Sequence, residues 1–234
     1  MNERNEMRDM FVQTAHRMMR DLCTKELLEA SLNGEWPEKL WSMLEEAGMT
    51  LLPVPEEAGG VGGGFADAMA IVREAGRFAA PVPLAETVLA NMLLSAAGLP
   101  VSEGAATVAP VRDADRIVAK KTESGWILSG TAKHVPWARR CNTIVVLAES
   151  DNGPVVAAVD AKQCDVNFGE DMAGEPRDEG QFNDILVGVE NVSAGHGHIN
   201  QENVLLLGTL LRSAQMAGAL EQLLDLSVQY STER

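Results

Sequence analysis

Basic residues are scarce in this sequence, and their scarcity excludes several classes of partner. The chain of 234 residues has 19 Lys and Arg against 34 Asp and Glu, which gives a formal net charge of −15. Nucleic acid and anionic membrane surfaces both attract a basic face. We therefore expect neither as a partner. Hydrophobic residues make up 46% of the chain and charged residues 23%, which is typical of a soluble globular protein.

Cysteines and long apolar runs are also few. Cys23, Cys141 and Cys164 are odd in number, far apart and free of any CxxC spacing, which predicts reduced thiols. No apolar run approaches the roughly 18 residues that a membrane span requires. The charged N-terminus lacks the apolar segment of a signal peptide. These absences together predict a cytoplasmic location.

Helical patterns fill the first hundred residues. Apolar residues recur at spacings of three and four from 3 to 32, from Pro37 to Gly48, from 65 to about 79 and from 84 to 97. The glycine cluster at 59–64 has no Lys-Ser/Thr after it and no complete GxGxxG, so it predicts a tight turn between helices. The pattern indicates a helical bundle.

The period changes after residue 105. Short runs rich in branched residues, such as ATVAPV, RIVAKK, WILSG and NTIVVLAES, alternate with turn formers and predict an antiparallel β-barrel or sandwich. Ser129-Gly130 predicts a turn or bulge. Pro136 removes a ladder donor, so the segment between the runs at 126–128 and 144–147 is predicted to be an irregular loop that leaves the sheet or follows its edge.

A long helix is predicted from Gln201 to the last residue. About 30 residues at 1.5 Å each give a rod of roughly 45 Å, and small residues at 214 and 217–219 would let another helix approach closely. Its apolar face is too wide to stay uncovered, so we expect another subunit or a longer chain to cover it. The predicted fold class is α+β, with domains at 1–103, 104–199 and 200–234. The last would be the first helix of a truncated helical domain.

Few residues outside the β-region suggest chemistry. Glu56 and Glu57 are adjacent in an extended loop and point apart, which disfavours paired catalytic carboxylates. His196 and His198 have an HxH spacing, but no third ligand lies at a recognisable interval, so a glycine-rich loop is favoured over a metal site. His16 is expected to be a surface or packed residue.

His134 lies in a group of cations and aromatics. Lys133 precedes it, and Trp137, Arg139 and Arg140 follow it. Such a group can meet a phosphate or an aromatic ring, and the plainer alternative is a solvated basic loop.

Taken together, these segments resemble the acyl-CoA dehydrogenase family over the whole chain. PEEAGGVGGG and EAGR are similar to a loop and a helix of that family's N-terminal domain, and GWILSGTAKHVPW is similar to its middle β-domain. The tail matches the family's Y-x-x-x-R motif with Tyr230 and Arg234.

The resemblance implies FAD as cofactor, an acyl-CoA as the substrate oxidised between its α and β carbons, and an electron-transfer flavoprotein as the electron acceptor. The family's flavin-contacting positions fall on Val108, Ala109, His134, Pro136 and Arg234 in this chain. Here the family's Thr-Glu-Pro motif is Val108-Ala109-Pro110, and its Trp and Thr are His134 and Pro136. The resemblance assigns no catalytic glutamate and no metal ligand to these residues.

Two hypotheses follow from the resemblance and its departures. The chain is either part of an FAD-dependent acyl-CoA dehydrogenase, inactive by itself, or a non-catalytic structural subunit of a heteromeric one. In both cases we expect a homo- or hetero-oligomer that forms through the C-terminal helix.

Overall fold

The computed structural model describes residues 2–112, 114–194 and 199–233. The helices that precede the sheet are α1 (Asn2–Leu22), α2 (Lys25–Leu32), α3 (Glu38–Glu46), α4 (Phe65–Arg77) and α5 (Leu84–Ala96). The predicted helical bundle is therefore confirmed.

The single helix predicted over residues 3–32 is wrong, because α1 and α2 are separate. Thr24 caps α2, and its Oγ1 accepts a hydrogen bond from the backbone N–H of Leu27 at 3.3 Å. A threonine at this position satisfies an N–H that the first turn of a helix would leave unpaired. The apolar period continues across the break, so it does not reveal where the first helix ends.

The strands form one sheet. They are β1 (Ala106–Ala109), β2 (Arg116–Thr122), β3 (Gly125–Pro136), β4 (Thr143–Ser150), β5 (Gly153–Asp160), β6 (Asp165–Asn167), β7 (Arg177–Val187) and β8 (Val192–Ala194). The order is β6-β7-β3-β2-β4-β5-β8, and β1 pairs with β4 outside this path. The α+β fold class is confirmed.

The sheet is mixed, whereas the sequence predicts an antiparallel one. β4 pairs with β1 in parallel over four residues and with β2 at one position, while the β2–β3, β3–β7 and β4–β5 pairs are antiparallel. A parallel pair requires a long crossover connection. The hairpin of β2 and β3 lies between β1 and β4 in sequence and provides that length.

β3 is longer and more irregular than the sequence suggests. Its register against β7 shifts between Leu128 and Gly130, so the predicted bulge is confirmed. A second shift lies between Ala132 and Val135. The irregular loop predicted between the runs at 126–128 and 144–147 is wrong for its first part, because the chain stays paired with β7 until Pro136 lies opposite Arg177. The chain leaves the sheet only between Pro136 and the start of β4 at Thr143.

Both faces of the central strands are buried. Side chains alternate across a strand, so Val108 and Val145 pack against the helices, while Ala109, Ile144 and Phe182 fill the interior of the β-region. The helices therefore cover one side of the sheet, and the sheet closes over its own core on the other.

The last helix, α6 (Gln201–Thr232), lies across α4 at two glycines. A Cβ on Gly218 would clash with the backbone of Arg73, and a Cβ on Gly76 would clash with the backbone of Gln215. Arg77 then pairs with Asp225 at 2.5 Å beside this crossing. The expectation that small residues let another helix approach is confirmed.

The outward side of α6 is apolar and exposed. Its leucines at 206, 210, 220, 223 and 224 expose between 46% and 63% of their surface. At 32 residues and about 1.5 Å per residue, the helix is about 48 Å long. Among the described residues, no helix has the length and hydropathy to cross a membrane.

Candidate functional site

A cavity of about 380 Å³ lies where α5, the strand ends and α6 meet. Its walls are mostly apolar and include Leu89, Val111, Val204 and Leu211. Cavities of this size with apolar walls and a few polar groups are typical of small-molecule sites. This cavity is therefore the best candidate for a functional site.

The structure brings three of the predicted cofactor residues together at this cavity. Val108, His134 and Pro136 all line it, from β1 and from the end of β3. Ala109 does not line the cavity, because its side chain is fully buried in the core of the β-region. Arg234 lies outside the described residues.

The backbone around His134 is strained. His134 and Trp137 both have φ of 58°, in the left-handed region that residues with a Cβ rarely occupy. Such conformations cost of order 1–3 kcal/mol and cluster at functional sites. The two strained residues bracket the end of β3 that borders the cavity.

The cations near His134 all have partners within the chain. Arg139 donates to the fully buried Asp178 from Nε at 2.8 Å and from Nη2 at 2.6 Å, and it stacks on the ring of Phe168 with 4.2 Å to the centroid. Arg140 donates to the carbonyl of Gly34, and Lys133 lies 3.8 Å from Glu179. These cations hold the local structure together, which leaves His134 as the exposed group facing the cavity.

A chain of ion pairs that the sequence does not predict lies beside the cavity. Arg212 on α6 donates to Glu86 on α5 at 2.7 Å and to Glu175 at 3.0 Å. Arg177 also pairs with Glu175 at 2.8 Å and with Asp171 at 3.3 Å. The pairs tie α5, α6 and the start of β7 together around the cavity.

Burial perturbs both members of the pair that links α5 and α6. Burial raises the pKa of Glu86 despite the opposing effect of Arg212. For Arg212, burial acts to lower the pKa, but Glu86 and Glu175 outweigh it and raise the value. Glu86 thus holds a proton more readily than an ordinary glutamate does.

Sequence reasoning missed Glu86 and Arg212. Each interrupts an otherwise apolar helix: Glu86 lies in LAETVLANMLL and Arg212 in LLLGTLLRSA. Single opposite charges on the buried faces of two helices are a signal for a pair, since buried charges are seldom unpaired. The sequence gives no indication of which face of each helix is buried, so the pair becomes visible only in the structure.

The other sequence candidates lie away from the cavity. The glycine cluster is the expected tight turn, in which Gly60, Gly62 and Gly63 donate back to the carbonyls of residues 55, 54 and 52. His16 is half-exposed, contacts Glu74 at 2.8 Å and lies against Phe78. His196 and His198 lie outside the described residues. The part of the chain that the structure describes holds no cluster of residues suited to a metal.

FAD, which the resemblance implies, fits these residues only in part. Val108, Pro136 and His134 offer apolar and flat surfaces to one side of a planar ring. Neither Val108 nor Pro136 has a side-chain donor, so the polar edge and the phosphates of the cofactor would find few partners among these residues. The described site therefore suits one face of a flavin.

Comparison with known proteins supports the family resemblance seen in the sequence. Residues 5–100 match the family model "Acyl-CoA dehydrogenase, N-terminal domain". The acyl-CoA dehydrogenase IpdE2 of Mycobacterium tuberculosis is 42% identical over 91 residues, which cover 36% of this chain and 29% of that protein. The matched segment thus spans less than a third of this relative.

Two solved structures share the fold over nearly the whole chain. The ChsE4–ChsE5 complex from Mycobacterium tuberculosis has a TM-score of 0.81 at 24% identity, covering 97% of this chain and 67% of that one. A variant of the Tcur3481–Tcur3483 steroid ACAD has a TM-score of 0.84 at 24% identity, covering 99% and 68%. The predicted family is thus confirmed by the match over residues 5–100, and the two solved structures show that the fold is shared.

Proposed function

We propose that this chain forms part of an FAD-dependent acyl-CoA dehydrogenase, which introduces a double bond between the α and β carbons of an acyl-CoA. The observation that carries the proposal is the cavity. The positions that correspond to the family's flavin contacts, Val108, His134 and Pro136, meet there with α5 and α6.

FAD, when bound, supplies the acceptor for the hydride that leaves the β carbon. The residues of this chain would position the reactants. Val108 and Pro136 present an apolar surface to a planar ring, and Leu89, Val204 and Leu211 exclude water from the acyl group. The left-handed backbone at His134 would help to fix the end of β3 at the position where the ring would bind.

The acyl-CoA and the electron-transfer flavoprotein remain proposals for the whole protein. The reaction removes a proton from the α carbon and a hydride from the β carbon, and both must be held in register by a rigid site. We assign no catalytic base to the residues described here.

The test is reduction of bound flavin by acyl-CoA. Protein purified from its native source, in the assembly it forms, is reconstituted with FAD and mixed anaerobically with octanoyl-CoA. We expect the visible flavin band to bleach. Benzoyl-CoA is the matched control, since it lacks the saturated α and β carbons. Protein that stays colourless after reconstitution, or that bleaches equally with both thioesters, contradicts the proposal.

A second candidate function is a structural subunit of a heteromeric acyl-CoA dehydrogenase. The exposed leucines of α6 favour it, because exposed apolar faces of this extent mark interfaces. The lack of side-chain donors at Val108 and Pro136 is consistent with a flavin held mainly by another chain.

Light scattering after size exclusion tests this candidate. We expect an assembly larger than a monomer at micromolar concentration, which Leu220→Glu breaks. Val118→Glu is the control, because Val118 is 53% exposed on β2 and is not part of α6. A stable monomer before any substitution contradicts the candidate.

A further inference from the structure

Gly208 is a glycine in the interior of α6 that the backbone does not require. Its φ lies outside the left-handed region, where glycine is favoured over other residues. A glycine inside a helix makes the fold less stable than an alanine would. The presence of glycine at this position therefore needs another explanation.

Helix packing does not explain Gly208 either. The crossing of α4 and α6 requires Gly218, because a Cβ there would clash with the backbone of Arg73. A Cβ on Gly208 would meet a single atom of the described chain within 4 Å outside its own stretch of α6, namely Cδ2 of Leu89 at 3.6 Å. That distance is an ordinary van der Waals contact. An alanine would thus fit at position 208.

Position 208 lies in the wall of the cavity. Residues three and four apart on a helix share one face, and Val204, Gly208 and Leu211 all line the cavity from α6. Leu89 lines it from α5. A side chain at position 208 would emerge between Val204 and Leu211 and reach toward Leu89. The missing side chain therefore leaves a recess in this wall, among three apolar side chains.

The recess suits a hydrocarbon group. Val204, Leu211 and Leu89 have no polar side-chain atoms, so a polar group placed among them would lose its hydrogen bonds to water. An unbranched chain has the same width along its whole length and leaves the recess unfilled, which forfeits dispersion contacts with the wall. A saturated ring is broader at one point of the acyl group and can fill the recess there.

We propose that Gly208 is a specificity-determining residue, which keeps the cavity wide enough for acyl groups broader than an unbranched chain, such as those that carry a saturated ring. The inference rests on the proposed function, and it names the substrate class of that same site. Gly208 takes no part in the chemistry, because its role is to leave room beside Leu89.

Paired thioesters of equal carbon number test the preference. Binding of ω-cyclopentylpropanoyl-CoA is measured by calorimetry against octanoyl-CoA, and binding of ω-cyclopentylpentanoyl-CoA against decanoyl-CoA, with the protein in the assembly it forms. In at least one pair we expect the ring-bearing thioester to bind at least about fourfold more tightly, which is the gain from one more buried methylene group. A ratio below about fourfold in both pairs overturns the inference.

Variants assign the preference to position 208. Gly208→Met should bring the affinity ratio to about one, because the flexible methionine side chain fills the recess. Gly208→Ala should lower the ratio and still fold, since its Cβ makes an ordinary contact. Ala217→Met is the matched control. It places the same side chain on α6 at an exposed position outside the cavity lining, so it should keep the wild-type ratio.

The variants also separate the recess from the rigidity of the ring. A ring loses less conformational freedom on binding than a chain does, and this gain does not depend on position 208. An unchanged ratio in Gly208→Met overturns the inference, because rigidity alone would then explain the preference. If thermal unfolding shows that Gly208→Met is not folded, Gly208→Ala decides, and a ratio equal to that of the wild type overturns the inference.

The outcomes distinguish this inference from the proposed function. Binding of the thioesters without a preference for the ring overturns the inference and leaves the proposed function standing. If the preference depends on Gly208 but no thioester bleaches the bound flavin, the proposed function fails and the recess stands as a binding site. Failure of every thioester to bind overturns both.

Discussion

The crossing of α4 and α6 predicts that Gly218→Ala weakens the fold. A Cβ at Gly218 would lie 2.8 Å from the amide nitrogen of Arg77 and 2.9 Å from the carbonyl carbon of Arg73, and closer still to the carbonyl oxygen of Arg73. All three are backbone atoms, so no side-chain rotation relieves the clash. The two helices must separate to admit the methyl group.

The size of the effect follows from two opposing contributions. Overpacking a tight contact costs about 1–3 kcal/mol, and a rigid backbone neighbour places this site near the upper end. Replacing a helical glycine with alanine returns about 1 kcal/mol. We therefore expect a net loss of about 2 kcal/mol, which lowers the melting temperature by about 4–8 °C in a chain of this size.

Gly208→Ala is the matched control on the same helix. Its Cβ would lie 3.6 Å from the Cδ2 atom of Leu89, an ordinary contact, so the propensity gain of about 1 kcal/mol should remain. Urea unfolding followed by far-UV circular dichroism measures both variants. If Gly218→Ala proves as stable as wild type, the close crossing of α4 and α6 is refuted.

Other parts of the structure give three more predictions. Because burial raises the pKa of Glu86 above its ordinary 4.5, the unfolding free energy should fall as pH rises from 4.5 through the raised value. Melting temperatures of the wild type should fall across this range, and Glu86→Gln should remove that fall. Glu57→Gln, a change on an exposed loop, should keep it. Identical pH slopes in the wild type and both variants would contradict this prediction. Asp178→Asn should cost about 3 kcal/mol in urea unfolding, because it breaks the buried pair with Arg139, and a loss below about 0.5 kcal/mol would count against that role. Since burial raises the pKa of all three thiols, a disulfide reagent at mild alkaline pH should label them only after unfolding, and prompt labelling of the native protein would be the opposing result.

The sequence determines much of the fold because its helices and strands carry clear periods. The end of a helix near Gly48 and the tight turn of the glycine cluster follow from the residue types at those positions. The bulge at Gly130 follows from a glycine inside a strand. The break at Thr24 is not visible in the same way, because the apolar stripe continues through it. The parallel pairing of β1 with β4 depends on contacts between distant segments, which no local pattern encodes.

The candidate site was only half predictable. Val108, His134 and Pro136 follow from a resemblance in motifs, and the structure places them at one cavity. Glu86 and Arg212 are 126 residues apart and meet only when α6 docks on α5. Their pairing is a product of tertiary packing.

The proposed function requires that this cavity hold one face of a flavin. Titration of FAD into the protein, followed by quenching of flavin fluorescence, tests it with two neighbouring substitutions on α6. Thr209 is exposed and lines the cavity, while Leu210 is exposed and lies outside its lining. We expect Thr209→Trp to weaken FAD binding at least about tenfold, a loss of roughly 1.4 kcal/mol, and Leu210→Trp to leave it unchanged. Equal affinity for FAD in both variants, or no binding by the wild-type protein, would contradict it.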